Sequence, residues 1–381
     1  MKKLVYLLVV LSLVSILIAG CSASTTSAPA ATSSPAAAPK TTPSPVATTP
    51  AAAPAPAPAS TTTSPAAQKI YKLRLQAFMP PADDLYSKYI STSLVSMVKE
   101  ATNGQVEITT FPNGALVPPT EIFKSTASGI VDIGYTAASY QMGFIPVSAV
   151  LDGLPMSFRN YKDLLTLYRE KGLGDIISQE YEKNGVHLLT IHCTEAYTVL
   201  STKPLTNKDS FKGTKIRGWG IWNKYFGNLG ASAVDMPLAE VYMALSLKTV
   251  DGVLTGINPH FQLKHYESCK YGLWPGLNGS SAHDIYMNNN TWKSLPDNLK
   301  VSLTKAFAAW TDDTAEKWYQ FSLTNKENLA SKGVKWADVD DRAWLTESAM
   351  GLWAETAAKD AASAKAVKIM TDYLKAEGAI K

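Results

Sequence analysis

The sequence predicts an α/β fold in two lobes. Strand-like and helical segments alternate from Tyr71 onward, which favours a parallel sheet with right-handed crossovers. Residues 69–381 provide enough chain for about two cores of roughly 150 residues each. A β-rich run at 186–201 is long enough to pass between two lobes. A helical pattern from Ser294 to near Gly333 would be roughly 50 Å long, which is enough to brace them.

The composition excludes several classes of protein. The chain has 381 residues, of which 46% are hydrophobic and 18% are charged, so it is not disordered throughout. The formal net charge is +4 and no cluster of Lys and Arg stands out, which argues against a nucleic-acid partner. Three cysteines are too few for a disulfide framework in a chain of this length.

The amino terminus has the pattern of an export signal. Lys2 and Lys3 precede an apolar run over 4–18, and small residues then lead directly to Cys21. This order resembles the lipobox of bacterial lipoproteins, which implies a signal peptide at 1–20, cleavage before Cys21 and a lipid on its sulfur. A plain signal peptide and an uncleaved membrane helix are the alternatives, although the run is short for the ~20 residues that span a bilayer.

Residues 21–68 consist almost entirely of Ala, Pro, Thr and Ser, with no Asp or Glu. Such a segment lacks the large apolar side chains that offset the entropy of ordering, and its prolines favour extended conformations. We therefore expect a semi-rigid linker. The body of the protein would then be exported and lipid-anchored to the cell membrane, facing the periplasm or the cell exterior.

Hydrophobic spacing predicts the elements of the body in order. Alternating or short β-rich runs indicate strands, and apolar residues three or four apart indicate helices that end near Gly. The predicted strands are at 71–78, 105–111, 131–135, 186–201, 215–217 and 250–256. The predicted helices are at 85–101, 119–128, 222–229 and 238–247, followed by the long helix that begins with Ser294.

Several catalytic and metal-binding patterns are missing from the sequence. There is no Gly-x-Ser-x-Gly elbow, Walker motif or dinucleotide-binding glycine pattern. The segment 279–284 places Ser, His and Asp side by side, but a triad needs convergence in space, and we expect a polar loop. His260 and His265 are five residues apart, so they would not share a helix face as a metal pair does. Cys193 and Cys269 lack Cys-x-x-Cys spacing, and Cys193 is expected to be buried.

Arg217 is the residue that points most directly to binding. It follows a short β-rich run and is flanked by Gly218 and Trp219. A guanidinium at the end of a strand can hold a carboxylate through two parallel hydrogen bonds. The alternative is a surface Arg in a salt bridge. Five aromatic residues fit a binding site or a hydrophobic core equally well: Tyr135, Tyr140, Tyr197, Trp219 and Trp222.

A series of short motifs across residues 70–335 resembles the solute-binding proteins of tripartite ATP-independent periplasmic (TRAP) transporters, in the DctP-like family. Any one motif is weak, but their order and spacing fit the family. The matching segments are 103–108, 111–116, 129–134, 154–158, 203–205, 211–217, 229–231, 240–245, 250–252 and 292–296.

The resemblance implies a periplasmic-binding-protein-like architecture that closes on a small organic anion. Lobe I would comprise 69–194 plus 283–322, and lobe II would comprise 195–282 plus 323–381. Crossing strands near 193–198 and 282–286 would form the hinge, and the long helix would brace it.

The resemblance also assigns a site. Arg217 matches the Arg that holds the substrate carboxylate in family members. Thr255 and Asn258 match a second segment that faces the carboxylate, and the Asn258 amide can donate to the same anion. The remaining predicted substrate-binding residues are aromatic: Trp219, Tyr197, Tyr135, Tyr140 and Phe78.

Two departures from the family pattern bear on the ligand. Members that bind 2-oxo acids through a metal place Glu where this chain has Leu254. No metal or other cofactor is therefore expected. The sequence Gly218-Trp219-Gly220 is bulkier than the family's usual small residues and Pro, which favours an acid with an apolar or aromatic tail.

The predicted function is capture of a small carboxylate and its delivery to the membrane permease subunits of a TRAP transporter, without catalysis. A surface-anchored hydrolase on a similar scaffold is an alternative, but it would need a nucleophile, a base and an oxyanion site. A ligand-sensing component is a further alternative.

Overall fold

The computed structural model describes residues 68–338 and 342–380. The predicted signal peptide at 1–20, the lipidation site Cys21 and all but the last residue of the linker at 21–68 lie outside the described residues. No helix in the described ranges is long and apolar enough to cross a membrane.

The described strands form two separate sheets. In chain order they are β1 (Tyr71–Ala77), β2 (Val106–Phe111), β3 (Ile133–Ala137), β4 (Val186–Cys193), β5 (Tyr197–Ser201), β6 (Lys215–Gly218), β7 (Ser232–Asp235), β8 (Gly252–Gly256), β9 (Tyr271–Trp274), β10 (Ala282–Asn288) and β11 (Lys335–Asp338). The first sheet has the order β2-β1-β3-β10-β4, and the second has the order β11-β9-β5-β8-β6-β7. The predicted α/β class with two lobes is confirmed.

Strand direction places the ends of neighbouring strands at common edges. In the first sheet β1 is parallel to β2 and to β3, whereas β10 is antiparallel to β3 and β4. In the second sheet β6 is parallel to β7 and to β8, and β5 is antiparallel to β8. The carboxyl ends of β6, β7 and β8 therefore share one edge, where ligands of open α/β sheets usually bind.

The α-helices are α1 (Val95–Ala101), α2 (Ile122–Ala127), α3 (Ser148–Asp152), α4 (Tyr161–Arg169), α5 (Leu173–Lys183), α6 (Lys208–Phe211), α7 (Gly220–Asn228), α8 (Val241–Ser246), α9 (Ile257–Gln262), α10 (Asn289–Ser294), α11 (Asp297–Ser331), α12 (Ala343–Ala357) and α13 (Ala361–Ala376). Short 3-10 turns occur at Pro119–Glu121, Ala138–Gln141, Leu238–Glu240 and His265–Glu267.

The predicted helix at 85–101 is not one regular α-helix. Leu85–Leu94 is π-helical, and α1 continues it. The hydroxyls of Ser91 and Thr92 both donate to the carbonyl oxygen of Ser87, at 2.9 and 2.8 Å. Because these side chains compete for a backbone acceptor, they favour a local departure from the regular α-helical ladder.

The chain passes between the two sheets at several places. The predicted β-rich run at 186–201 is two strands, β4 and β5, which belong to different sheets and are joined by residues 194–196. Residues 275–281 lead back from β9 to β10. The long helix α11 has 35 residues and a length of about 52 Å, and it connects β10 and α10 to β11.

The last two helices pack on different parts of the body. Helix α12 packs against α7, whereas α13 packs against α3, α4 and α5. The sequence assigned 323–381 to lobe II, yet α13 contacts helices from the 69–194 segment.

The cores are built by fully buried apolar side chains. Leu75 of β1, Ile90 of the π-helical segment and Phe307 and Trp310 of α11 belong to one cluster and have no exposed surface. Burial of side chains of this size contributes about 1.5–3 kcal/mol each. Cys193 and Cys269 are both buried and free, as expected for Cys193.

Candidate ligand-binding site

Arg217 is a buried cation near the carboxyl end of β6, with 7% of its surface exposed. Its Nε donates to the carbonyl oxygen of Met236 at 3.0 Å, and its Nη1 donates to that of Leu254 at 3.1 Å. Burial lowers its pKa, but a guanidinium stays protonated at neutral pH. Within the described chain it forms no ion pair, and its Nη2 makes no hydrogen bond. The salt-bridge alternative is therefore not observed.

Aromatic rings lie beside this guanidinium. The Arg217 guanidinium carbon is 5.1 Å from the Trp219 ring centroid, which is within cation–π range. Tyr197, the first residue of β5, contacts Trp219 edge-on with ring centroids 5.4 Å apart. Trp219 and Tyr197 are half-buried, whereas the neighbouring Trp222 is 1% exposed and belongs to the core.

Asn258 presents an amide donor at the same edge of the second sheet. It lies in the first turn of α9, directly after β8, and is 1% exposed. Its Oδ1 accepts from Asn325 Nδ2 of α11 at 2.9 Å, while its own Nδ2 has no partner among the described residues. Thr255, in β8, is 5% exposed and lies opposite Thr198 of β5.

The predicted residues from the first sheet form a second aromatic group. Phe78 follows β1, and its ring is 6.0 Å from Tyr135 and 5.5 Å from Tyr140. Tyr140 is 41% exposed, whereas Tyr135 is fully buried. The Tyr135 hydroxyl lies 3.0 Å from Nδ1 of both His192 and His283, so both of its hydrogen-bonding directions are used within the protein.

Two polar contacts at the site, which involve three residues outside the predicted set, have no counterpart in the sequence prediction. Glu195, in the crossing segment 194–196, accepts a hydrogen bond at 2.6 Å from Trp318 Nε1 of α11. Asn325, on the same helix, orients Asn258. Trp318 and Asn325 fit the helical spacing of ordinary core positions, so no sequence signal separates them from packing residues.

The segment 279–284 is not the polar loop that the sequence predicted. Ser280 and Ser281 are fully buried, and His283 and Asp284 lie within β10. Ser281 Oγ donates to the carbonyl oxygen of Asp152, and His283 Nδ1 contacts the Tyr135 hydroxyl. These side chains thus contact separate partners, because β alternation and burial direct them into different hydrogen bonds.

His260 and His265 also differ from the expectation. Their Nδ1 atoms are 3.2 Å apart, because the chain reverses at Lys264, whose φ is 56°, and returns His265 towards α9. Burial, and to a smaller extent the Arg217 charge, lowers the pKa of both imidazoles, to about 4 for His265, and the neighbouring His265 also lowers the pKa of His260. No group of three or more potential metal ligands occurs in the part of the chain that the structure describes.

Comparison with known proteins identifies the family. Residues 78–360 match the family described as DctP, bacterial extracellular solute-binding protein, family 7. A monocarboxylate 2-oxoacid-binding periplasmic protein of Nostoc is 26% identical over 54% of this chain, and the match spans 57% of that protein. The C4-dicarboxylate-binding periplasmic protein DctP of Rhodobacter capsulatus is 26% identical over 68% of this chain and 76% of its own length.

Solved structures show the same fold. A TRAP periplasmic solute-binding protein of Rhodobacter sphaeroides superposes with a TM-score of 0.71 at 21% identity, covering 81% of this chain and 99% of that one. A marine metagenome TRAP protein in complex with pyroglutamate gives a TM-score of 0.68 at 19% identity, covering 80% and 99%. Because the family match extends over most of the chain, this protein belongs to the bacterial extracellular solute-binding protein family 7.

Proposed function

We propose that this protein captures a small organic acid outside the cytoplasm and delivers it to the membrane permease subunits of a TRAP transporter. The observation that carries the proposal is Arg217, a buried guanidinium that faces no protein carboxylate within ion-pair distance. Asn258 Nδ2, a buried donor without a partner, adds a second group suited to an anion.

The ligands for which relatives and structural neighbours are named support a carboxylate as the ligand of this protein. The Rhodobacter capsulatus relative is named for C4-dicarboxylates, and neighbouring structures hold pyroglutamate and D-glucuronate. These acids differ in their tails and share the carboxylate, which is the part that a guanidinium recognises.

In the proposed mechanism, Arg217 binds the carboxylate through charge-assisted hydrogen bonds, and its two backbone contacts fix the orientation of the fork. Asn258 and Thr255 line the same edge, and Trp219 and Tyr197 pack against the ligand's tail. Phe78, Tyr140 and Tyr135 would form the opposite wall. A ligand that contacts both lobes favours the closed state.

The proposal involves no cofactor, metal or covalent change in the ligand. The Ser281 hydroxyl is occupied by a backbone carbonyl, and His283 contacts Tyr135, so the hydrolase alternative gains no support from the geometry.

The test uses a thermal-shift screen against a panel of carboxylic acids, followed by calorimetry with the best ligand. We expect Arg217→Ala to lose most of the affinity, on the order of 2–5 kcal/mol, because truncating it removes a buried charged partner. Arg217→Lys should fail as well, since an ammonium does not reproduce the planar fork.

Lys215→Ala is the matched control, because Lys215 is an exposed cation two residues earlier in β6. It should bind normally. Affinity of Arg217→Ala within twofold of wild type would refute the carboxylate site, and consumption of the acid over hours would favour an enzyme.

Membrane anchoring is proposed from Cys21 alone. Cys21→Ser should yield protein that lacks lipid, because the thiol is the acylation site and a hydroxyl does not replace it. Mass spectrometry of the mature wild-type protein decides the matter, and an unmodified amino terminus at a residue other than Cys21 would contradict a lipoprotein.

A further inference from the structure

Glu195 is a half-buried carboxylate without a cationic partner. It lies in the crossing segment 194–196, and its Oε2 is held by Trp318 Nε1 at 2.6 Å. It forms no ion pair with any Lys, Arg or His of the described chain. Its Oε1 lies against the backbone of Gly256, where an added β-carbon would be only 2.0 Å from that oxygen. The carboxylate is therefore fixed in position while its charge remains uncompensated.

Glu195 and Arg217 contact the same strand. The guanidinium donates to the carbonyl oxygen of Leu254, and the carboxylate packs on Gly256, two residues further along β8. These contact points are about 7 Å apart along the strand. The two charged groups do not pair with each other, since no Arg217 ion pair occurs in the described ranges. Arg217 and Glu195, a cation and an anion without an ionic partner in the described chain, thus contact residues two positions apart near the end of β8.

A single face of α11 orients both polar groups. Trp318 donates a hydrogen bond to Glu195, and Asn325 donates one to Asn258. These two helix residues are seven positions apart, or about two helical turns. Asn258 lies two residues beyond Gly256, and its Nδ2 is a buried donor that lacks a partner. The long helix therefore fixes one acceptor and one donor at the same strand end.

Resting on the proposed carboxylate site, we infer that the ligand is an amino acid or a similar zwitterion, with its carboxylate on Arg217 and Asn258 and its ammonium on Glu195. An ammonium supplies further donors to the Glu195 carboxylate and neutralises its charge. The Trp219 and Trp318 rings add surfaces that attract cations.

A dicarboxylate fits this arrangement less well. Its second carboxylate would meet Glu195, and like charges in a site from which water is excluded disfavour each other. Burial raises the pKa of Glu195 and the charge of Asp83 adds to this, while hydrogen bonds from Trp318 and from the backbone of Glu195 oppose the rise only in part. A bound ammonium would oppose the rise as well.

Calorimetry with matched ligand pairs tests the inference. The pairs are L-leucine with 4-methylpentanoate, L-phenylalanine with 3-phenylpropanoate, and L-proline with cyclopentanecarboxylate, and succinate is added as a dicarboxylate. For the pair that fits the site, we expect the amino acid to bind wild type at least tenfold more tightly than the acid without an amine. Glu195→Gln should abolish that preference, whereas Glu327→Gln, on the exposed face of α11, should keep it.

If Glu195→Gln does not melt cooperatively, Trp318→Phe replaces it, because this change removes the donor that orients Glu195 and keeps an aromatic ring at this buried position. The inference would be overturned if succinate or the acids without an amine bound more tightly than the amino acids. It would also be overturned if the preference for the amino acid were unchanged in Glu195→Gln and in Trp318→Phe. Either result would leave the carboxylate site intact. If no acid binds and Arg217→Ala has no effect, the proposed function itself fails.

Discussion

Asp284 and Glu195 are both carboxylates that form no ion pair within the described chain, but their surroundings differ. Asp284, in β10, is fully buried and accepts hydrogen bonds from Thr136, Gln141 and Tyr181. Glu195 keeps accessible surface and receives one side-chain hydrogen bond, from Trp318. Both oxygens of Asp284 thus accept hydrogen bonds from side chains, whereas Glu195 has a single side-chain donor.

The difference separates a structural carboxylate from a candidate binding carboxylate. A buried polar group whose partners are all present stabilises one arrangement of the fold, while a group with a missing partner weakens it until a ligand binds. We therefore expect substitutions at Asp284 to change stability and those at Glu195 to change ligand selectivity.

The largest expected effect on stability is that of Asp284→Asn. An amide has one acceptor oxygen where the carboxyl group has two, so one of the donors Thr136, Gln141 and Tyr181 would lose its acceptor, and we expect the free energy of unfolding at pH 5 to fall by on the order of 1–3 kcal/mol. Urea denaturation measures this loss. Ligand affinity should stay within about threefold, and a larger loss of affinity would place Asp284 in the binding site.

Asp284→Asn also tests how the free energy of unfolding depends on pH. Burial raises the pKa of Asp284 to about 7, above the value of about 3.9 in an unfolded chain. The folded state then binds more protons, so this contribution to stability is complete below pH 4 and is lost as pH rises through 7. The deficit of Asp284→Asn should therefore shrink between pH 5 and pH 8. A deficit that grows with pH would mean that the folded state favours the anion.

A smaller effect is expected from Asn325→Asp. A carboxylate has no N–H to donate to Asn258 Oδ1, so the Asn258 amide should rotate and present its oxygen to the ligand. We expect calorimetry to show an affinity about tenfold weaker, the value of one hydrogen bond. Thr324→Asp adds the same charge at an exposed neighbouring position and should bind normally. An equal loss of affinity in both variants would show that the added charge decides, and wild-type affinity in both would show that Asn325 does not orient Asn258 for binding.

The smallest expected effect is on overall dimensions. Arg217 and the aromatic group of Phe78, Tyr135 and Tyr140 would contact the same ligand in the closed protein. Saturation with that ligand should then lower the radius of gyration in small-angle scattering and change Trp219 fluorescence. Arg217→Ala at the same acid concentration is the control. Identical scattering curves with and without the acid would indicate a rigid pocket.

Much of the fold was predictable because hydrophobic alternation depends on local sequence. The strands at 71–78 and 105–111 and the long helix after Ser294 are confirmed within a few residues. The run at 186–201 is confirmed as a crossing between sheets, although nothing in its β-rich composition indicates the break at 194–196. The convergence of His260 and His265 was missed because it depends on a left-handed residue, Lys264, outside the helix.

The residues of the candidate site were predictable only where they belong to a motif of the family. Arg217 and Asn258 follow from the family pattern, and their binding roles stay predictions. Glu195, Trp318 and Asn325 were missed because a single acid in a β-rich run, or a Trp and an Asn on a long helix, has no distinctive spacing. Their roles arise from contacts between segments more than 60 residues apart in the chain.

The several chain passages between the two sheets have an entropic consequence. If the two sheets move as lobes, residues 194–196, residues 275–281 and α11 restrict the relative orientations that they can sample, because all three connect the sheets. Closure then requires ordering only a few backbone dihedral angles in those connections. A smaller loss of conformational freedom on closure would leave a larger share of the contact free energy as affinity.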